Sequence, residues 1–184
     1  MLAVKNEISS KGTGEIDGRM SIRLRIIISG CMLFIVQLLF MPLIGVFEFT
    51  PDLLIIWLVF VGIRRGHIEA TIAGFCIGLL QDSVTTQFFG LAALSKSLVG
   101  FLGGYFYNES NAQQTLGSYR LLVATAILSV VHNMVYYGIF FQGREESLAV
   151  AVFQMTVGIT LYTSIVAILP MFAFSRTYQT QWTQ

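Results

Sequence analysis

Residues 70–82 read ATIAGFCIGLLQD and residues 90–105 read GLAALSKSLVGFLGGY. In the first stretch Ala70, Gly74, Gly78 and Asp82 recur every four residues, and in the second Ala92, Lys96, Gly100 and Gly104 do the same. Residues four apart share one face of a helix, so each stretch carries a ridge of small side chains, the pattern that lets two backbones approach closely in lipid. Thr85, Thr86, Gln87, Phe88 and Phe89 leave room only for a turn, and the two helices are expected to pair as an antiparallel hairpin. A turn centred near Gln87 sets Asp82 beside Ala92, Gly78 beside Lys96, Gly74 beside Gly100 and Ala70 beside Gly104. Asp82 and Lys96 then lie within roughly 10 Å of the same membrane face. A lone charge in the bilayer costs a few kcal/mol, so the expectation is an Asp82–Lys96 ion pair. A packing hairpin locked by that pair is the plain reading. A coupled-ion or substrate site, and a contact for a helix of another protein, are the alternatives.

The rest of the chain suits such a hairpin. Of its 184 residues, 55% are hydrophobic and 11% charged, with mean hydropathy +0.73, against roughly a quarter charged in an ordinary soluble domain. At about 20 apolar residues per span, the length allows about six spans and no separate soluble domain. The net charge of +1, with basic residues scattered singly or in twos, lacks the concentrated positive field that nucleic acid requires. Cys31 and Cys76 sit in apolar runs as small packing residues, and form neither a disulfide framework nor a zinc site.

The expected organisation is all-α, a polytopic six-helix transmembrane bundle. Residues 1–22 form a polar, disordered cytoplasmic tail, 23–176 the membrane domain and 177–184 a cytoplasmic C-terminal tail; Met20 is an alternative start. The first span, 26–41, follows Arg23 and Arg25 and ends at Pro42. Only three apolar residues separate Arg25 from Ser29, too few for the core of a signal peptide, so this helix is retained. Thr50, Pro51 and Asp52 open the second span as cap, first-turn proline and dipole partner. Residues 51–63 measure only about 20 Å, against a hydrocarbon core of about 30 Å. Either Arg64 and Arg65 continue the helix and snorkel, or the connector 43–49 dips into the membrane edge on Phe47 and Phe49. The third to sixth spans are 67–84, 90–107, 121–141 and 148–172, with a polar loop at 108–118 and Pro170 near the end. An N-terminus inside puts Lys5, Lys11, Arg19, Arg23, Arg25, Arg64, Arg65, Arg120 and Arg176 on the cytoplasmic side, and Arg144, beside Glu145 and Glu146, opposite.

Catalytic motifs are not found: there is no HExxH helix, Walker loop, GxGxxG after a strand or GxSxG elbow. His67 and Glu69 fall on different helix faces, as do Ser95 and Lys96. His132, in mid-membrane with Asn133, Tyr136 and Tyr137, is expected to make an interhelical hydrogen bond. No catalytic, cofactor or metal residue is assigned.

Pro51-Asp52-Leu53-Leu54, then Arg65-Gly66, then Gly74-Phe75-x-x-Gly78-Leu79-x-x-Asp82, then Gly90-Leu91 with Gly100 beyond, resembles the rod shape-determining MreD family. The likeness is clearest over 51–105. It implies a non-enzymatic bacterial inner-membrane subunit of the cell-elongation machinery, without cofactor. The partners it implies are an MreC-type protein, the MreB cytoskeleton indirectly, and a RodA-type glycosyltransferase with a class B penicillin-binding protein. It also implies a fold similar to the substrate-binding subunits of energy-coupling-factor vitamin transporters, which leaves vitamin binding as the other reading. The residues singled out as structural or partner-facing are Pro51, Asp52, Arg65, Gly66, Gly74, Phe75, Gly78, Asp82, Gly90, Lys96, Gly100 and Gly104.

Overall fold

The computed structural model describes residues 22–40, 43–45, 49–85, 88–108, 111–142 and 148–180, with 176–180 described by their backbone. Met20, Pro42, Phe47, Gln87, the Arg144-Glu145-Glu146 group and, of the expected tails 1–22 and 177–184, residues 1–21 and 181–184 lie outside them. Among the described residues the chain is helical without strands. Its helices are α1 (Ile22–Phe40), α2 (Leu53–Thr85), α3 (Leu91–Gly103) with a 3-10 turn Gly104–Phe106, α4 (Ala112–Leu116), α5 (Tyr119–Phe140) and α6 (Leu148–Thr180). Of these, α1, α5 and α6 are long and apolar enough to cross a membrane.

Gly66 divides α2. Its φ of 79° and ψ of −171° break the helical path, in a region where a side chain is strained and glycine is not. Gly78 lies against Ala92 and Ala93, and Ala70 against Gly100, so residues 67–85 run antiparallel to α3. Asp52 reaches Lys96 and Gly62 lies against Gly103, so residues 53–65 run parallel to α3. The chain therefore doubles back at Gly66.

This reversal accounts for the short second span. Leu54, Ile55, Leu58, Val59, Val61 and Ile63 are all at most 1% exposed, so the first half of α2 meets protein on every side and need not match the lipid thickness. Ile26, Leu33 and Phe34 of α1, Val99 of α3, Leu121 and Leu128 of α5, and Met171 and Phe174 of α6 pack around it. Of the two remedies expected for its length, the helix does continue through Arg64 and Arg65. Phe49, for its part, lies on Gly158 of α6.

Three boundaries differ from expectation. The polar loop holds α4, because Leu116 is fully buried in the core. α6 continues through Pro170 to Thr180; in a membrane bundle, neighbouring groups satisfy the backbone carbonyl that a proline frees. α1 begins at Ile22, since Arg23 reaches Glu69, 3.4 Å away on α2. Arg65 Nε is 2.6 Å from the same carboxylate, and the Arg64 guanidinium lies 4.7 Å from the Phe60 ring and 5.9 Å from that of Phe174. The start of α1, the Gly66 reversal and the last part of α6 thus share one end of the bundle.

Candidate functional site

The start of α2 is built inside the protein. Asp52 Oδ1 accepts the N–H groups of Leu54 and Ile55, at 2.9 and 3.2 Å, so the helix opens at Leu53 and its N-cap is Asp52, expected as the dipole partner, in place of Thr50. Gln37 of α1 completes the cap: its Nε2 donates to the Pro51 carbonyl at 3.0 Å, and its Oε1 accepts the Leu53 N–H at 2.9 Å. From α6, Thr163 Oγ1 accepts the Asp52 N–H at 3.1 Å. Asp52 Oδ2 is left for the charge. It takes Lys96 Nζ at 2.7 Å, and His132 Nε2 of α5 lies 3.7 Å from the same oxygen. Lys96 is completely buried and Asp52 nearly so.

The expected Asp82–Lys96 pair is therefore corrected: Lys96 pairs with Asp52. Asp82 instead caps α3 from a distance, its carboxylate accepting the N–H groups of Gly90, Ala92 and Ala93, each at 3.0 Å. The local reason is Gly90. It occupies the cap position at φ 96° with no side chain to offer, and the first-turn N–H groups need an acceptor. The cap also pulls the hairpin register one turn from that expected: Gly78 meets Ala92 and Ala93, Gly74 meets Lys96 and Ser97, Ala70 meets Gly100, and His67 meets Gly104. The same two ridges face each other, since a slip of about one turn keeps the faces.

Asp82→Ala is expected to lower stability by about 1.5–3 kcal/mol, the scale for hydrogen bonds to a charged group. Because Asp82 and Lys96 bond different groups, Asp82→Ala and Lys96→Met should add. Thermal unfolding of the two single variants and the double variant in detergent measures this, and a clear departure from additivity would restore the direct pair.

The remaining singled-out residues fall into two further places. Arg65 and Gly66 form the reversal with Glu69, which Arg65 engages through Nε at 2.6 Å and Nη2 at 3.1 Å. Phe75 joins neither cluster and is 49% exposed on the outer side of α2.

Beside Asp52 lies a polar belt of which the sequence reading named only Asn133. Asn133 Nδ2 donates to Ser129 Oγ at 3.2 Å and to Thr160 Oγ1 at 3.3 Å, and Thr160 Oγ1 donates to Ser129 Oγ at 3.3 Å. The signal was present as Ser129 and Asn133 four apart on α5, and Thr156, Thr160 and Thr163 at helical spacing on α6. Polar side chains on one face of an apolar helix hydrogen-bond across the helix interface.

Chemically, this arrangement neutralises charge. The positive end of a helix, one ammonium and one carboxylate meet in the interior of the bundle. Among the described residues, the surface carries a groove of about 780 Å³ between α5 and α6 and another of about 390 Å³ between α1 and the second half of α2. Asp52, Lys96 and His132 line neither groove.

No curated protein and no solved structure matches the chain. Residues 19–178 match the family model described as rod shape-determining protein MreD, a span that takes in the Asp52–Lys96 clamp, the α2–α3 hairpin and every described helix but the last two residues of α6, and the chain belongs to that family.

Proposed function

We propose that this chain is a non-enzymatic, multi-pass subunit of the bacterial inner membrane, with both termini cytoplasmic, that scaffolds peptidoglycan synthesis for cell elongation. The scaffold would work through an MreC-type membrane protein. Through it come a RodA-type glycosyltransferase with its class B penicillin-binding protein, and the MreB cytoskeleton indirectly. The observation that carries this reading is the family match over 19–178.

The geometry supports it in two ways. The interior charges are spent on holding α2 and α3, which suits a rigid mount. The α5–α6 groove is lined by apolar side chains with Thr156 and Thr160, and the Thr156 hydroxyl has no partner among the described residues. Such a face suits a partner's membrane helix bearing a hydrogen-bonding side chain. A vitamin would need several polar groups converging on one cavity, and these two threonines supply little of that. Of the singled-out residues, Phe75 is proposed to face a partner, and the others to be structural.

Depletion of the protein should round the cells, and purification in mild detergent should bring down an MreC-type protein. Phe75→Ala should lower that partner's recovery severalfold while the yield of this chain stays the same. A tightly bound vitamin in place of the partner would overturn the assignment.

A further inference from the structure

The groove between α1 and the second half of α2 differs from the α5–α6 groove in having charge at its mouth. Its walls are apolar, with Ile27 and Cys31 on one side and Ile72 and Cys76 on the other, and Trp57 forms the floor. The one polar atom of that indole is already used, since Nε1 donates to Ser29 Oγ at 3.1 Å, so the floor presents only an apolar ring. At the mouth stand Arg23 and Glu69.

Among the described residues, the charges there do not balance. Glu69 is engaged by Arg65 through two nitrogens, at 2.6 and 3.1 Å. Arg23 reaches the same carboxylate only at 3.4 Å, and its side chain is 64% exposed. Two guanidiniums thus share one carboxylate, and most of the Arg23 fork, with its hydrogen-bond donors, faces outward over the groove. A guanidinium fork matches phosphate geometry.

The lining narrows the occupant. Apart from Arg23 and Glu69 at the mouth, the slot is walled by apolar side chains and two cysteines, a surface that an acyl chain can follow. The occupant that meets both the apolar slot and the surplus positive charge has a hydrocarbon tail and an anionic phosphate head.

We propose that this groove is a binding site for one anionic phospholipid, whose phosphate takes the free side of the Arg23 guanidinium and whose acyl chain lies on Trp57 between α1 and α2. The site belongs to the leaflet that meets the Gly66 end of the bundle, and it stands or falls independently of any protein partner.

The full chain tests this by native mass spectrometry in detergent with phosphatidylglycerol or phosphatidylcholine of identical acyl chains. One phosphatidylglycerol should stay bound where phosphatidylcholine is lost, and Arg23→Gln should reduce that preference about fivefold, the effect of roughly one basic residue at an anionic surface. Arg120, exposed on the first turn of α5, lies outside the groove, so Arg120→Gln should leave the preference unchanged. The chain's own cysteines give a second readout that needs no variant. Cys31 and Cys76, its only two, both line the groove, and a bilayer-soluble maleimide should label them more slowly in phosphatidylglycerol vesicles than in phosphatidylcholine vesicles. Equal retention of the two lipids, equal labelling rates, or an Arg120→Gln effect as large as that of Arg23→Gln would overturn the site. So would protection that appears only when a partner protein is co-purified.

Discussion

Lys96→Met should remove about 3–5 kcal/mol of stability, because it strands a buried carboxylate, and Asp52→Asn in the same chain should restore most of it. Lys96 is completely buried, so its loss exposes no new surface to water that could solvate Asp52. The carboxylate would keep its cap bonds to Leu54 and Ile55 and lose the ammonium 2.7 Å away. An amide at position 52 keeps an oxygen for those cap bonds and carries no charge, so the double variant leaves no lone ion. Thermal stability of the four chains in one detergent measures the coupling. Defects that simply sum would show that the pair contributes nothing as a pair.

Gly74→Leu and Gly100→Leu should each prevent recovery of folded protein. At both positions even a single added carbon overlaps backbone: Gly74 faces the Lys96 carbonyl and Gly100 the Ala70 carbonyl. Backbone cannot rotate aside as a side chain can, so the whole α2–α3 interface must separate, well beyond the 1–3 kcal/mol of ordinary overpacking. Gly138→Leu is the control, since nothing lies within 4 Å of a Cβ placed there. The measurement is the yield of monodisperse protein from membranes. A Gly74→Leu chain that accumulates like Gly138→Leu would refute the close approach.

These two expectations also show what the sequence made legible. The glycine ridges were readable because a period of four in small residues has few other physical uses in an apolar helix. Their register was not, because the reading centred the turn near Gln87, whereas the bare N–H groups at the start of α3 bind Asp82 and draw the turn one helical turn away. That a helix opens near Pro51 and Asp52 was readable from capping chemistry, though the cap is Asp52 and not Thr50, but the ion partner of Asp52 lies 44 residues away, beyond any local pattern. Burial of the segment LLIIWLVFVGI was unreadable in principle. A helix apolar all round looks the same whether lipid or protein surrounds it, and only the shortfall in its length hinted at the difference. The polar belt had a spacing signal on α5 and α6, overlooked because each hydroxyl is common in an apolar helix.

The bond between the Asp52 N–H and Thr163 Oγ1 joins residues 111 apart, which bears on how the chain is made. At about 5–20 residues per second, those 111 residues take roughly 6–20 s to emerge. During that interval the first half of α2 has left the ribosome with its opening turn unfinished, and it is too short to cross the bilayer by itself. The insertion machinery must shelter it until α3 brings Lys96 and α6 brings Thr163. A truncation before α3 thus leaves a charged, half-length helix without a home, and one between α3 and α6 leaves its opening turn unfinished, each a ready mark for membrane quality control.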